Sequence, residues 1–456
     1  MDRKHSLDKL PQDIRSLIYL VRDTAAKKNI SAYLVGGFVR DLLLGVENLD
    51  LDIVAESDAI GLAGEFARRI GAAEVVRHKR FGTATVRIRP GFKVDTFAAP
   101  KPRGKPTPLS INHERSRRID FSTARKEFYP APARLPEVSP GNLRDDLFRR
   151  DFTINAMAVS IARDSFGRLV DFFGGKADLE QKKIRILHDL SFRDDPTRIL
   201  RAVRFEQRYN FRIEPGTLRR LKEAVKLKAL FDAGPHRLRG ELILSLKERS
   251  PLKGIKRLSG LAGLQFISPG LKFPAGAQEL MRAIAKEIAW FKERYPRRRE
   301  LDSWLVYCLG LLDPLSLRAV AGVCAKFAFR RGEEKRILDY KKINHKFAAD
   351  LRKYRQRPSR IFALLEPLAY EVTIAVKAKY RDRPIQEAIA DFFEIYNGIC
   401  IAVGGDDLCR LGLSPGPAYR KIFSKVLSAK LDGRIKSKEE ELSLIRQLVK
   451  EEQGDV

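Results

Sequence analysis

The sequence predicts a mixed α/β domain followed by a long all-α portion, and three observations carry that expectation. Short segments of alternating apolar residues are confined to the first third of the chain: SAYLV, LDLDIVA, ATVRI and IDFSTA. Beyond about residue 190 helical spacing takes over, as in ILRAVRFEQRYNF, GTLRRLKEAVKLKAL, AQELMRAIAKEIAWFKERY and FALLEPLAYEVTIAVKAKY. Breaks at Ser250–Pro251, Ser268–Pro274, Tyr295–Arg299 and Gly404–Gly405 divide these helices into subdomains. With 456 residues the chain has room for several cores, and 44% hydrophobic content excludes extensive disorder.

Element by element, Leu10, Ile14, Leu17 and Val21 give a helix over residues 7–28, and SAYLV a strand ending in Gly36–Gly37. A helix over Phe38–Leu44 stops at Gly45, and LDLDIVA alternates as a strand. Ala59–Ile70 reads as a helix. Ala84–Ile88 reads as a strand, turned by Pro90–Gly91 into Phe92–Phe97. Residues 99–118 are Pro-rich, basic and without period, an exposed insertion, and Ile119–Ala124 is the next strand.

The charge balance narrows the function. Eighty-eight Lys and Arg stand against 58 Asp and Glu, a net +30, which implies a polyanionic partner and favours nucleic acid. A membrane surface competes, but there is no basic amphipathic anchor and no apolar run of about 18 residues to span a bilayer. The N-terminal stretch lacks the apolar core of a signal peptide, so a cytoplasmic setting is expected. Cys308, Cys324, Cys400 and Cys409 form no CxxC pair or Cys/His cluster, which argues against zinc and for buried free thiols.

Four segments carry candidate chemistry. Gly36–Gly37 lies where a strand meets a helix N-terminus, a place for an anion, with Arg40 one turn on; Asp41 reads as a site residue, as a structural partner of Arg40 or as a backbone cap. Asp50 and Asp52, two apart in a strand, leave one face together and suit a hard divalent ion, Mg²⁺. In DDLFRRDFTINAMAVSI, Arg149 or Arg150 can hold a phosphate or ribose, with Asp151 orienting it; a salt-bridged hinge is the plain alternative. In RDDPTRILRAVRF, Arg198, Arg201 and Arg204 climb one side of a helix that begins near Pro196, with Asp195 near its cap; a capped helix with a surface stripe is the alternative.

Together LVGGFVRDLLLG, LDLDIV, HKRFGTATV, FSTARKEFYPAPARLPEV, DDLFRRDFTINAMA, LVDFFGGKADLEQKKIRIL and FRDDPTRILRAVRF resemble the class II tRNA nucleotidyltransferase and bacterial poly(A) polymerase family, of the polymerase β-like superfamily. The resemblance implies an α+β head with a mixed sheet (1–160), then an elongated all-α neck (161–265), body (266–395) and tail (396–456). It implies that Gly36, Gly37 and Arg40 contact a triphosphate and that Asp50 and Asp52 are metal-binding catalytic carboxylates. Arg149, Arg150 and Asp151 would hold the nucleotide. Asp195 and Arg198 would read its base, with Arg201 and Arg204 in support. Asp194 stands where the family commonly has Glu, with the following Asp and Arg kept. A further carboxylate is either Asp95 or Asp120, and the ARKEFY that follows favours Asp120.

The implied reaction is attack of an RNA 3′-OH on a nucleotide α-phosphate with release of pyrophosphate. The implied partners are tRNA, ATP and possibly CTP, with no membrane and no obligate protein partner. IAVGGDDLCRLGLSPGPAYRKIF resembles the A-adding branch, which favours addition of the terminal A. Complete CCA addition, CC addition and poly(A) synthesis stay open. So do two other classes, a small-molecule nucleotidyltransferase and a non-catalytic RNA-binding protein.

Overall fold

The computed structural model describes residues 7, 10–47, 50–71, 73–89, 93–94, 109–110 and 117–454. The chain divides into two compact units, Met1–Glu241 and Leu242–Val456.

In the first unit, α1 (Gln12–Lys27) starts after Pro11, whose missing N–H suits a helix entry, so it begins later than the spacing predicts. It leads to β1 (Ala32–Val35), α2 (Gly37–Leu44), β2 (Leu51–Ala55) and α3 (Ala59–Ile70). Both helices end at a glycine in the left-handed region, Gly45 (φ 68°) and Gly71 (φ 77°), a backbone conformation that residues with a side chain rarely adopt. Then come β3 (Ala73–His78), β4 (Thr83–Ile88), two short paired strands β5 (Lys93–Val94) and β6 (Leu109–Ser110), and β7 (Arg117–Thr123). The rest of the 99–118 insertion, and Asp95, lie outside the described residues. A hairpin, β8 (Arg125–Phe128) and β9 (Glu137–Pro140), precedes α4 (Leu143–Phe148), β10 (Met157–Ser160) and β11 (Leu169–Asp171). After α5 (Gly175–Glu180), the short parallel pair β12 (Lys183–Ile184) and β13 (Arg212–Ile213) brackets α6 (Ser191–Asp194) and α7 (Thr197–Tyr209). The unit closes with α8 (Pro215–Lys226), α9 (Ala229–Asp232) and the start of α10 (Pro235–Lys247).

Seven strands form one mixed sheet, ordered β11-β10-β1-β2-β7-β4-β3, in which only β2 and β7 run parallel. The register decides where the chemistry lies. Leu34 of β1 faces Ile53 of the antiparallel β2, so the end of β1 meets the start of β2. Asp52 pairs with Asp120 across the parallel β2–β7 ladder. Val35 opposes Ala158, which brings the start of β10 to the same end of the sheet. Val35, Val54, Ala124, Leu143, Leu147, Ala156 and Ala158 form a buried cluster in this unit. The strand β3 escapes the alternation rule because AEVVRH sits at the sheet edge with little of one face covered.

The second unit is helical in its described residues. The helix Ala275–Arg294 packs on Ser303–Leu312 and Tyr370–Lys379, with Phe291, Tyr370 and Phe393 in ring contact. Glu371, fully buried, accepts two bonds from Arg299 at 2.8 Å, one from the Asp302 N–H at 3.0 Å, and lies 3.3 Å from Arg336. Burial alone would raise its pKa, but Arg299 and the backbone donor outweigh that and hold it at about 2. The stabilisation is therefore present above the ordinary glutamate range and is lost as pH falls toward 2. Glu371→Gln is expected to destabilise this unit by roughly 2–4 kcal/mol at pH 7, less than a wholly buried pair because Arg299 is half-exposed. Urea titrations at pH 7 and pH 3 should show the wild-type advantage shrinking at the lower pH.

Cys308 and Cys324 are buried as expected, whereas Cys400 and Cys409 are exposed. Among the described residues no helix is long and apolar enough to cross a membrane.

Candidate active site

Gly36 ends β1 with φ 69° and ψ −134°, a conformation that disfavours any side chain. A Cβ there would lie 2.7 Å from Arg150 Nη1 and 3.6 Å from Asp52 Oδ2. The missing side chain is therefore what lets the RRD segment, the Gly turn and β2 meet. From Gly37 the backbone enters α2, whose first N–H groups have no partner within the helix, and Gly36 and Gly37 line the cavity described below.

Arg40 is buried and held on every side. Its Nε and Nη2 donate to Asp41 at 2.8 and 2.9 Å, and Nη1 donates to Asn155 Oδ1 at 2.6 Å. Its guanidinium also lies over Tyr209 at 4.7 Å and Phe205 at 5.2 Å. Of the readings of Asp41, the structure shows the partner of Arg40, which donates to both of its carboxylate oxygens.

Asp52 lies at the start of β2, while Asp50 precedes the strand and is exposed, because pairing with β7 begins only at Leu51. The expected i, i+2 geometry within one strand is thus not what brings these carboxylates together. Burial pushes the Asp52 pKa up to about 6; Asp120 and Asp50 add to the rise, and Arg150 opposes it. Asp120 accepts a bond from Thr85 Oγ1 at 2.6 Å and pairs with Arg118 at 3.0 Å.

The RRD segment is organised by a residue the sequence reading passed over. Fully buried Asp146 accepts from Arg149 at 2.6 Å and from Arg150 at 2.9 Å. Asp151 does not orient either of them. It accepts from Asn155 Nδ2 and from Arg201 Nε, each at 2.8 Å, and Arg201 with Arg204 grips Glu241 at 2.7 and 3.1 Å. Burial would raise the Asp151 pKa, yet Arg201 and the Asn155 donor hold it at about 2. The chain order hid this exchange, since Asp151 adjoins one pair of arginines and serves another fifty residues on.

Helix α7 starts after Pro196. Asp195 Oδ1 accepts from the Thr197 N–H at 3.0 Å and from its hydroxyl at 2.5 Å, and Oδ2 pairs with Arg237. Arg198, buried, donates from Nη1 to Ser191 Oγ at 2.6 Å and from Nη2 to the Arg149 carbonyl at 2.7 Å. Asp194 lies 3.8 Å from His188.

These pieces enclose one cavity of about 570 Å³. Gly36, Gly37, Arg40, Asp52, Arg149, Arg150, Asp151, Asp195, Arg198, Arg201 and Arg204 all line it, whereas Asp50 and Asp120 do not. Eight arginines (40, 149, 150, 198, 201, 204, 208 and 237) face it with four carboxylates (Asp52, Glu127, Asp151, Asp195), a lining suited to a polyphosphate. Sequence reasoning missed Glu127, Tyr129, Asn155, Arg208 and Arg237. Glu127 joins the β8–β9 hairpin to the site by accepting from Arg125, Arg149 and Tyr129. Only the Arg208 position continues a visible pattern, one turn beyond Arg204.

Among the described residues no three His, Cys, Asp or Glu side chains are already drawn into a metal cage. The donor set still fits a hard divalent cation. Asp52, Asp50 and Asp120 are all oxygen donors, the last two close enough to raise the proton affinity of Asp52, and Mg²⁺ is commonly held by one or two carboxylates plus substrate phosphates.

Comparison with known proteins agrees with this geometry. The Poly A polymerase head domain family matches residues 32–185. An A-adding tRNA nucleotidyltransferase of Geobacter sulfurreducens is 36% identical over 94% of this chain, although the chain spans only 47% of that relative's length. One from Halalkalibacterium halodurans is 28% identical over 97% of this chain and 95% of its own length. The Thermotoga maritima CCA-adding enzyme complexed with tRNA superposes with a TM-score of 0.69 at 32% identity, covering 98% of both chains. A CCA-adding enzyme solved with ATP and with CTP gives TM-scores of 0.72 and 0.71 over 97% of this chain and of each matched chain. With the sheet register, the arginine-lined cavity and these likenesses in agreement, the chain belongs to the tRNA nucleotidyltransferase and poly(A) polymerase family.

Proposed function

We propose that this protein transfers a nucleotide, most specifically the terminal A, to the 3′ end of tRNA with release of pyrophosphate. The observation that carries the reading is the single cavity joining the Gly36–Gly37 turn and Asp52 to Asp195 and Arg198. Phosphates and base of one bound ATP can then be engaged at opposite ends, and CTP is the alternative occupant.

In this reading Gly36 and Gly37 present backbone N–H groups to the triphosphate, and Arg150, steadied by Asp146, meets its charge. Arg149 holds the ribose side, and Arg198 with Asp195 offers a hydrogen-bonding edge to the base. Arg201, fixed by Asp151 and Glu241, and Arg204 keep that helix in place. The family uses divalent metal ions; Mg²⁺ would be held by Asp50 and Asp52 with Asp120 beside them, and when bound it supplies charge neutralisation and activation of the attacking oxygen. The enclosure aligns an incoming 3′-OH with the α-phosphate, where most of the rate gain in such transfers originates.

The four-part division into head, neck, body and tail belongs to the same reading. The small separate core of Val403, Leu408, Ile422, Val426, Ile445, Leu448 and Val449 supports a distinct tail. The +30 charge supports tRNA as the partner, and a cytoplasmic setting accompanies it.

Three tRNA transcripts, ending before CCA, after C and after CC, offered ATP and CTP separately and together, test the assignment. Extension of only the CC-ended transcript, by a single A, is expected. Incorporation of C into the shortest transcript would overturn A-addition in favour of CCA or CC synthesis, and long A tails would make it a poly(A) polymerase.

A further inference from the structure

Arg40, which lines the cavity, is also the centre of a buried connection between two parts of the site. One edge of its guanidinium is closed by Asp41 and the other reaches Asn155, while Phe205 and Tyr209 lie under it. Tyr209 adds a direct tie: its hydroxyl donates to Asp41 Oδ1 at 3.1 Å. Tyr209 is the last residue of α7, whose first turn carries Arg198, and Asp41 is on α2, which opens at Gly37. From Asn155 the connection continues through Asp151 to Arg201, back on α7. The helix that presents the base-reading residues is thus fastened at its far end and its middle to the helix whose N-terminus faces the phosphates. Tyr209 itself does not line the cavity.

We propose that Tyr209 is a positioning residue that sets the distance between the phosphate turn and the base-reading helix, so that one nucleotide is gripped at both ends at once. This inference rests on the nucleotide reading of the cavity. A ligand spanning two subsites gains from their being fixed relative to each other, because no further ordering is needed on binding. Ligands that fill one subsite gain nothing from that fixity. Tyr209→Phe keeps the ring under Arg40 and removes only the bond to Asp41.

Calorimetry on the full-length protein with inorganic tripolyphosphate, adenosine and ATP separates these cases, paired with kcat and KM on a CC-ended tRNA transcript. In Tyr209→Phe, tripolyphosphate and adenosine should bind within about twofold of wild type. ATP should bind about tenfold to a hundredfold more weakly, the scale of one hydrogen bond to a charged acceptor, and kcat should fall with it. Tyr209→Leu, lacking the ring as well, should widen the same gap. Equal losses for all three ligands with a lower melting temperature would mean a merely structural tyrosine and overturn the proposal, as would unchanged ATP binding and turnover. A wild-type protein that binds no ATP would instead overturn the reading of the cavity beneath it.

Discussion

Asp52→Ala is expected to lower nucleotide transfer at least about 10³-fold, about 4 kcal/mol of transition-state stabilisation, while tRNA affinity stays within about twofold. Asp52 is the only one of the three candidate metal-holding aspartates that lines the cavity, and a Cβ added at Gly36 would lie 3.6 Å from its Oδ2 and 2.7 Å from Arg150 Nη1. No neighbouring carboxylate can take over its position, since Asp120 is engaged by Thr85 and Arg118 and Asp50 lies before the strand. In the proposed function, binding of tRNA would draw instead on the +30 net charge of the chain as a whole. The same substitution should weaken direct Mg²⁺ or Mn²⁺ binding measured by calorimetry without nucleotide. It should also raise the melting temperature in metal-free buffer at neutral pH, because the half-buried Asp52 carboxylate is held there against its desolvation and the repulsion of Asp120 and Asp50. Turnover within tenfold of wild type would remove Asp52 from the metal site.

Much of this site was legible in the residues because its geometry is local. A strand, two glycines and a short amphipathic helix follow one another within Ala32–Leu44, and local propensity was enough to place the glycine turn that lines the cavity. The strand bearing Asp52 was likewise visible from its alternation. What stayed hidden was pairing over distance. That Asp52 lies opposite Asp120 is a property of β2–β7 register, which no local signal carries. The roles of Asp146 and Asp151 were exchanged for the same reason: nearness in sequence suggested Asp151 as the partner of Arg149 and Arg150, whereas one turn of α4 brings Asp146 beneath both. Arg40 shows the sharpest limit. A cation one turn beyond a glycine pair looks like a phosphate ligand, and only the fold reveals Asn155 and Tyr209 closing around it.

Arg198→Ala is expected to reduce the preference for ATP over CTP by about tenfold to a hundredfold, with tRNA binding unchanged within about twofold. Arg198 is buried with both terminal nitrogens already donating, one to Ser191 on α6 and one to the carbonyl of Arg149. Its guanidinium plane is therefore fixed before any base arrives, and discrimination by a preset donor edge costs no ordering on binding. Removing it leaves a buried hydroxyl and a buried carbonyl without their donor and lets water compete for the base. Arg198→Lys should not restore selectivity, because one ammonium cannot span Ser191 and Arg149 and still face the cavity in a plane. Single-nucleotide incorporation on a CC-ended transcript, with ATP and CTP competing at equal concentration, reads the ratio directly. Arg237→Ala provides the contrast: Asp195 would keep its bonds to Thr197 and lose only its outer partner, so the selectivity loss should be smaller than for Arg198. An unchanged ratio in Arg198→Ala would move base recognition away from α7, and the order Arg237 above Arg198 would place it on α10 instead.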